Sequence, residues 1–225
     1  MERHIDLREI SDGRLYGLND MVRADCGGCE GCFTCCTGMG SSIVLDPLDI
    51  YRLTSGLSCS FQELLARYLE LNVVDGVILP NLKMGGEGER CAFLNGEGRC
   101  SIHGFRPGFC RIFPLGRLYE DGSFHYFLQV HECPRESRAK VKVRKWIDTP
   151  DLKQYEPFIA DWHYFLKEIQ DWVRTPEGAS AARDMNLYIL NEFFVKPYDG
   201  QTDFYPQFRG RLEEARRQTA AIMQA

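Results

Sequence analysis

The sequence predicts an α+β protein: a small, loop-rich, metal-centred domain of short strands and helices over residues 1–137, followed by a mainly helical region over residues 138–225 packed on it. Three observations predict this. All ten cysteines lie at or before Cys133, and five of them crowd into residues 26–36, CGGCEGCFTCC. Between the cysteine groups, short apolar runs are broken by Asp-Gly and Asn-Gly pairs, which are turn signals between strands. From about residue 138 apolar residues take helical spacing instead.

Residues 1–25 carry few apolar positions, and one short helix or strand is expected there. After the cysteine run, Ile43 to Leu45 reads as a short strand. Asp46-Pro47 is a helix start, with Asp capping and Pro at the first helical position, so residues 47–55 should form a helix ending at Gly56. Ser60 with Glu63 repeats the signal as a capping box, and Leu64, Leu65, Tyr68, Leu69 and Leu71 supply a helical apolar stripe. Val73 to Leu79, interrupted by Asp75-Gly76, reads as two short strands and a tight turn. Asn95-Gly96 and Gly98 turn the chain between Cys91 and Cys100, and Pro107 and Pro114 keep the following segment from becoming a long helix. LGRLYE and SFHYFLQV flank Asp121-Gly122 as a hairpin that returns Cys133 toward the cluster.

In the C-terminal region, Trp162, Phe165, Leu166, Ile169, Trp172 and Val173 form one helical stripe; Leu187, Ile189, Leu190, Phe193 and Phe194 form another. Both read as helix packing. Pro150, Pro157, Pro176, Pro197 and Pro206 punctuate these helices, and residues 208–225 form a terminal helix.

The upstream cysteine run has little packing use, because Gly27, Gly28 and Gly31 offer nothing to bury. Two residues between cysteines let a tight turn aim both sulfurs at one metal. Free thiols at this spacing in a loop would be prone to oxidation. Cys29, Cys32 and Cys35 have the spacing that wraps one face of a 4Fe-4S cube, whose fourth ligand comes from elsewhere. Adjacent Cys35 and Cys36 start on diverging vectors, so they more easily serve two metals, or two corners of a cluster, than one small ion. Cys91, Cys100, Cys110 and Cys133 match no simple zinc pattern by spacing. Each nevertheless sits beside Gly, Pro or Arg rather than in an apolar stripe, and Arg90, Arg99, Arg106 and Arg111 can offset thiolate charge. Any one of those arginines, taken singly, reads first as a solvated surface charge. Cys59, with no cysteine near, reads as structural. His103 and His131 read as hydrogen-bonding or solvent-facing groups outside the metal ligands.

At 225 residues the chain can bury a core without disulfide staples. Its N-terminus lacks the apolar stretch of a signal peptide, and no stretch approaches a membrane span. A cytoplasmic protein with reduced thiols is the expectation, with no membrane association. The formal net charge of −5 argues against general nucleic-acid binding, so no nucleic-acid partner is expected.

These motifs resemble a known family. CEGCFTCC, CAFL at Cys91, CSIH at Cys100, RPGFCRIFP over 106–114 and the late Cys133 are similar to the YkgJ-like cysteine-cluster proteins, described as a CxxCxxCC zinc- or iron-chelating domain. LDPLDIYRL and SFQELLARYLE resemble that family's helical insert between its cysteine groups. The resemblance covers roughly residues 26–135, and Cys26 and Cys59 depart from its pattern. It implies Cys29, Cys32, Cys35, Cys36, Cys91, Cys100, Cys110 and Cys133 as metal ligands, enough for two tetrahedral metals or for one cluster with thiols left over.

The expected activity is metal binding, as an iron–sulfur cluster (4Fe-4S favoured) or zinc, in electron transfer, redox sensing or a structural role, with a protein partner on the C-terminal helices. A zinc-stabilised interaction module is one alternative. A protein-modifying enzyme is another, because the domain is similar to the cysteine-rich part of flagellin lysine N-methylases. Against an enzyme, the sequence shows no Gly-rich nucleotide-binding turn after a strand and no HExxH motif.

Overall fold

The computed structural model describes residues 6–28 and 31–223. In chain order its elements are α1 (Leu7–Ile10), β1 (Ser11–Tyr16), β2 (Met21–Asp25), α2 (Pro47–Leu57), α3 (Phe61–Arg67), β3 (Leu69–Val74), β4 (Val77–Leu82), β5 (Met84–Gly85), β6 (Arg90–Cys91), α4 (Gly108–Ile112), β7 (Leu115–Glu120), β8 (Ser123–Gln129), β9 (Ala139–Lys142), α5 (Val143–Ile147), α6 (Leu152–Val173), α7 (Pro176–Leu190) and α8 (Phe204–Met223). The class is α+β, with small antiparallel sheets and a mainly helical C-terminal region. The chain forms two compact units, one of residues 1–43 with 84–160, the other of residues 44–83 with 161–225.

In the first unit, β8 lies between β1 and β7 in a three-stranded sheet, and β2 pairs with β9. The β7–β8 hairpin forms as expected. Glu120 pairs with Ser123 across Asp121-Gly122, and both turn residues have positive φ, 49° and 75°. That is the two-residue turn whose twist matches the strands, and Gly adopts it without a Cβ penalty. Residues 11–25 hold two strands rather than a single short element. Their partners lie more than a hundred residues on, at β8 and β9, so no local pattern announces them.

In the second unit, α2 starts on a capping box in which Asp46 and Asp49 satisfy each other's backbone N–H groups. Ser60 and Glu63 do the same for α3. The apolar stripe does not continue as helix beyond Arg67: Leu69 and Leu71 lie on β3, which pairs with β4 around Asp75-Gly76. Six paired residues outweigh one more helical turn. Ile43 to Leu45 contributes an isolated bridge between Val44 and Asn81 rather than a strand. Trp162, Phe165, Phe193 and Phe208 form an aromatic core, with Trp162 and Phe193 centroids 4.9 Å apart. Leu187, placed in that stripe by its spacing, is instead 54% exposed.

Pro157 and Pro206 lie inside α6 and α8 rather than between helices. Pro206 is the third residue of α8, where a missing N–H costs nothing. Pro157 sits early in α6, where few intrahelical bonds precede it. A π-helical turn over Asn191–Val195 follows α7. Arg211 satisfies the carbonyls that this wider turn and its exit leave open, donating to Glu192, Lys196 and Pro197 at 2.6–2.7 Å.

Candidate metal centre

Two-residue turns, a 3-10 turn and one short helix bring the cysteines of the first unit together. Cys26 follows β2 directly. Cys32 precedes the 3-10 turn Thr34–Cys36, which carries Cys35 and Cys36. Cys91 ends β6; Cys100 bridges back to Leu94 across the Asn95 turn; Cys110 sits in α4; Cys133 follows β8. Cys29 lies outside the described residues. Cys59 belongs to the second unit, just ahead of α3.

Three cysteines share one local design. The sulfur of Cys32 is hydrogen-bonded by the backbone of Thr34, that of Cys91 by Phe93 and that of Cys100 by Ile102, always two residues on. A backbone N–H aimed at a sulfur favours the thiolate over the thiol, as a metal ligand requires. Cys32 is accordingly lowered from the ordinary thiol value, by the backbone and then the hydroxyl of Thr34. Burial outweighs the same bond at Cys91 and Cys100 and raises both.

The sulfurs of Cys35 and Cys36 lie 3.9 Å apart and share a hydrogen bond. Cys35 is lowered to about 7, chiefly by the hydrogen bond from Cys36, while Cys36 is raised by that bond, by burial and by the neighbouring thiols. Two sulfurs on one tetrahedral ion, each ~2.3 Å from it, stand ~3.8 Å apart. The observed separation therefore fits mononuclear coordination chemistry. Cys91 and Cys110 lie within electrostatic reach of Cys36, and Cys91 and Cys100 within reach of Cys35. Among the described residues no three Cys, His, Asp or Glu side chains converge closely enough to hold an ion. Metal sites commonly close only when the ion draws its ligands in.

The arginines divide by role. Arg106 lies beside Cys35 and Cys100, favouring their charged forms, and its Nε is buried without a hydrogen-bond partner. A thiolate centre would supply the missing negative charge. Its Nη1 meets His103 Nε2 at 2.8 Å, and burial and the arginine charge together hold that imidazole below its usual range. His103 is thereby engaged as an acceptor. Arg111 is buried and structural, donating to the carbonyls of Gly104, Arg106 and Asp148. Arg90 lies over the Phe33 ring.

A cavity of about 30 Å³ opens among Cys26, Cys32, Cys35 and Cys133, with Arg135 and Trp146 on its wall. The Trp146 indole donates to the carbonyls of Ile112 and Phe113, fixing the wall that Phe113 and Pro114 supply. Cys26, which departs from the family pattern, lines this cavity, as do Arg135 and Trp146, which no sequence motif marks. Their signal was position alone, since β2 and β9 leave the cysteine segments on either side.

Fold and site together define a small α+β unit built around clustered thiols. Residues 28–134 match the model of the CxxCxxCC family, described as "Putative zinc- or iron-chelating domain". Metal binding follows for this segment. No curated protein and no solved structure matches the chain. No helix among the described residues is long and apolar enough to cross a membrane.

Proposed function

We propose that the first unit binds zinc or iron through Cys29, Cys32, Cys35, Cys36, Cys91, Cys100, Cys110 and Cys133. The observation that carries this is the repeated backbone hydrogen bond to sulfur at Cys32, Cys91 and Cys100, which aims an N–H donor at a sulfur in both halves of the cysteine set. Two forms of the centre have support. The spacing of Cys29, Cys32 and Cys35 suits an iron–sulfur cluster, 4Fe-4S in particular, and with it electron transfer or redox sensing. The 3.9 Å separation of Cys35 and Cys36 suits single ions, and with them a structural centre whose binding energy is folding energy.

The deciding experiment is metal and acid-labile sulfide analysis, with an absorption spectrum, on protein purified without air. Iron with matching sulfide and visible absorption bleached by dithionite establishes the cluster. Zinc without sulfide, in a colourless protein that unfolds with chelator, establishes the structural form. Cys32→Ser loses metal and stability together, and full metal retention by that variant overturns the reading. Cys59→Ser leaves metal content unchanged.

A further inference from the structure

We propose that the outward face of the β2–β9 ribbon is a docking surface for an acidic protein segment, one that presents carboxylates beside an apolar side chain. Across this ribbon Arg23 pairs with Lys140, and Met21 pairs with Lys142. All four side chains are exposed, whereas Val22 and Ala24, on the other face of β2, are fully buried. Side chains alternate between faces along a strand, so the four form one outward patch, with neighbours on one strand ~7 Å apart. Facing partners stand ~5 Å apart.

Like charges directly opposite each other destabilise a sheet. Arg23 and Lys140 are placed so, and among the described residues no carboxylate pairs with either of them or with Lys142. The acids that flank β2 are engaged in their own turns: Asp20 accepts from the Gly17 N–H and Asp25 from the Gly27 N–H. The cationic run also extends past β9. Residues 135–145, RESRAKVKVRK, hold six basic residues against one acid, in a chain whose formal net charge is −5. Lysines on an edge strand can serve simply to deter pairing with another chain. That role needs no second cation on the facing strand, so it does not account for Arg23 opposite Lys140. A partner bearing carboxylates relieves the repulsion through charge complementarity. Met21 decides the class of partner. At 46% exposed and paired with Lys142, it offers an apolar contact that a protein segment covers and a phosphate backbone cannot use. The four side chains also include no aromatic ring on which a base could stack.

Fluorescence anisotropy of a labelled peptide of alternating Glu and Val, titrated with the full-length chain at low salt, tests this. Wild type should bind the peptide, and added salt to about 1 M should weaken it about tenfold or more as the screening length falls to ~3 Å. Lys140→Glu should also weaken binding by about tenfold or more, yet leave the chain at least as resistant to urea as wild type, because Glu opposite Arg23 turns a repulsive pair into an attractive one. Those opposite effects separate lost docking from lost folding. Met21→Ala should weaken the peptide severalfold. A labelled oligothymidylate of equal charge is the rival probe. If it binds more tightly than the peptide, and Met21→Ala leaves its binding unchanged, the acidic-protein assignment is overturned in favour of nucleic acid. No peptide binding by wild type at low salt, or full binding retained by Lys140→Glu, overturns the docking surface itself.

Discussion

Arg111 Nη1 donates to the backbone carbonyl of Asp148 at 2.6 Å, a bond that spans thirty-seven residues and ties α4 to the end of α5. Its other nitrogens hold Gly104 and Arg106, so one buried guanidinium fixes the loop between Cys100 and Cys110. The ion pair with the Asp148 carboxylate, 4.0 Å away and largely exposed, adds little by comparison. Arg111→Met should therefore cost about 4 kcal/mol, because it leaves three carbonyls short of donors. Arg111→Lys should recover only part, since an ammonium cannot reach three divergent acceptors. Urea unfolding of the two variants beside wild type measures both effects, and a Met variant within 1 kcal/mol of wild type, as an ordinary surface substitution would be, would show that the loop holds itself.

Asn186 does for the second unit what Arg111 does for the first. From α7 its amide accepts from the Ile78 N–H at 2.6 Å and donates to the Gly76 carbonyl at 3.1 Å, holding the β3–β4 turn and the start of β4. Asn186→Ala should cost about 2 kcal/mol, and hydrogen exchange at Ile78 should accelerate more than at α2. Equal acceleration at both places would mean that the turn does not open locally.

Gly116 pairs directly with Phe127 across β7 and β8, and the aromatic ring lies over its backbone. A Cβ at Gly116 would meet Phe127 ring carbons at 2.6 and 2.9 Å and force the ring out of its place. Gly116→Ala should destabilise by about 1–3 kcal/mol. Gly122→Asn in the same hairpin should be nearly neutral, because Asn tolerates the positive φ of the turn. Thermal midpoints of the two variants separate packing from turn geometry.

What was legible in the sequence was what is local in the chain. Asp46-Pro47 and Ser60 with Glu63 announce their helices because a cap satisfies N–H groups three residues away. Asp75-Gly76 and Asp121-Gly122 announce their hairpins because the turn alone sets the register. Leu69 and Leu71 read as helix because spacing cannot see the β4 partner that recruits them. Strands β1 and β2 were hidden for the same reason. In the metal centre, the CxxC repeats mark the upstream thiols, whereas the place of Cys26 beside Cys133 depends on the β2–β9 pairing, which no spacing records.

Glu156, half-buried on α6, is a group of the first unit whose ionisation opposes folding. Burial raises its carboxyl above the usual range, and the neighbouring Tyr126 hydroxyl, Arg117 and Arg144 offset that only in part. An acid with a folded value above its unfolded one favours folding below the unfolded value, about pH 4, and loses that contribution as pH rises through the folded value. Glu156→Gln, which removes the charge and keeps the shape, should therefore unfold at higher urea than wild type at pH 7. The advantage should shrink toward zero as the pH falls to about 4, where the wild-type carboxyl takes up its proton. Urea midpoints at the two pH values test the sign. A variant less stable than wild type at pH 7 would show instead that Arg117 and Arg144 outweigh burial and that the carboxylate holds the two arginines in place.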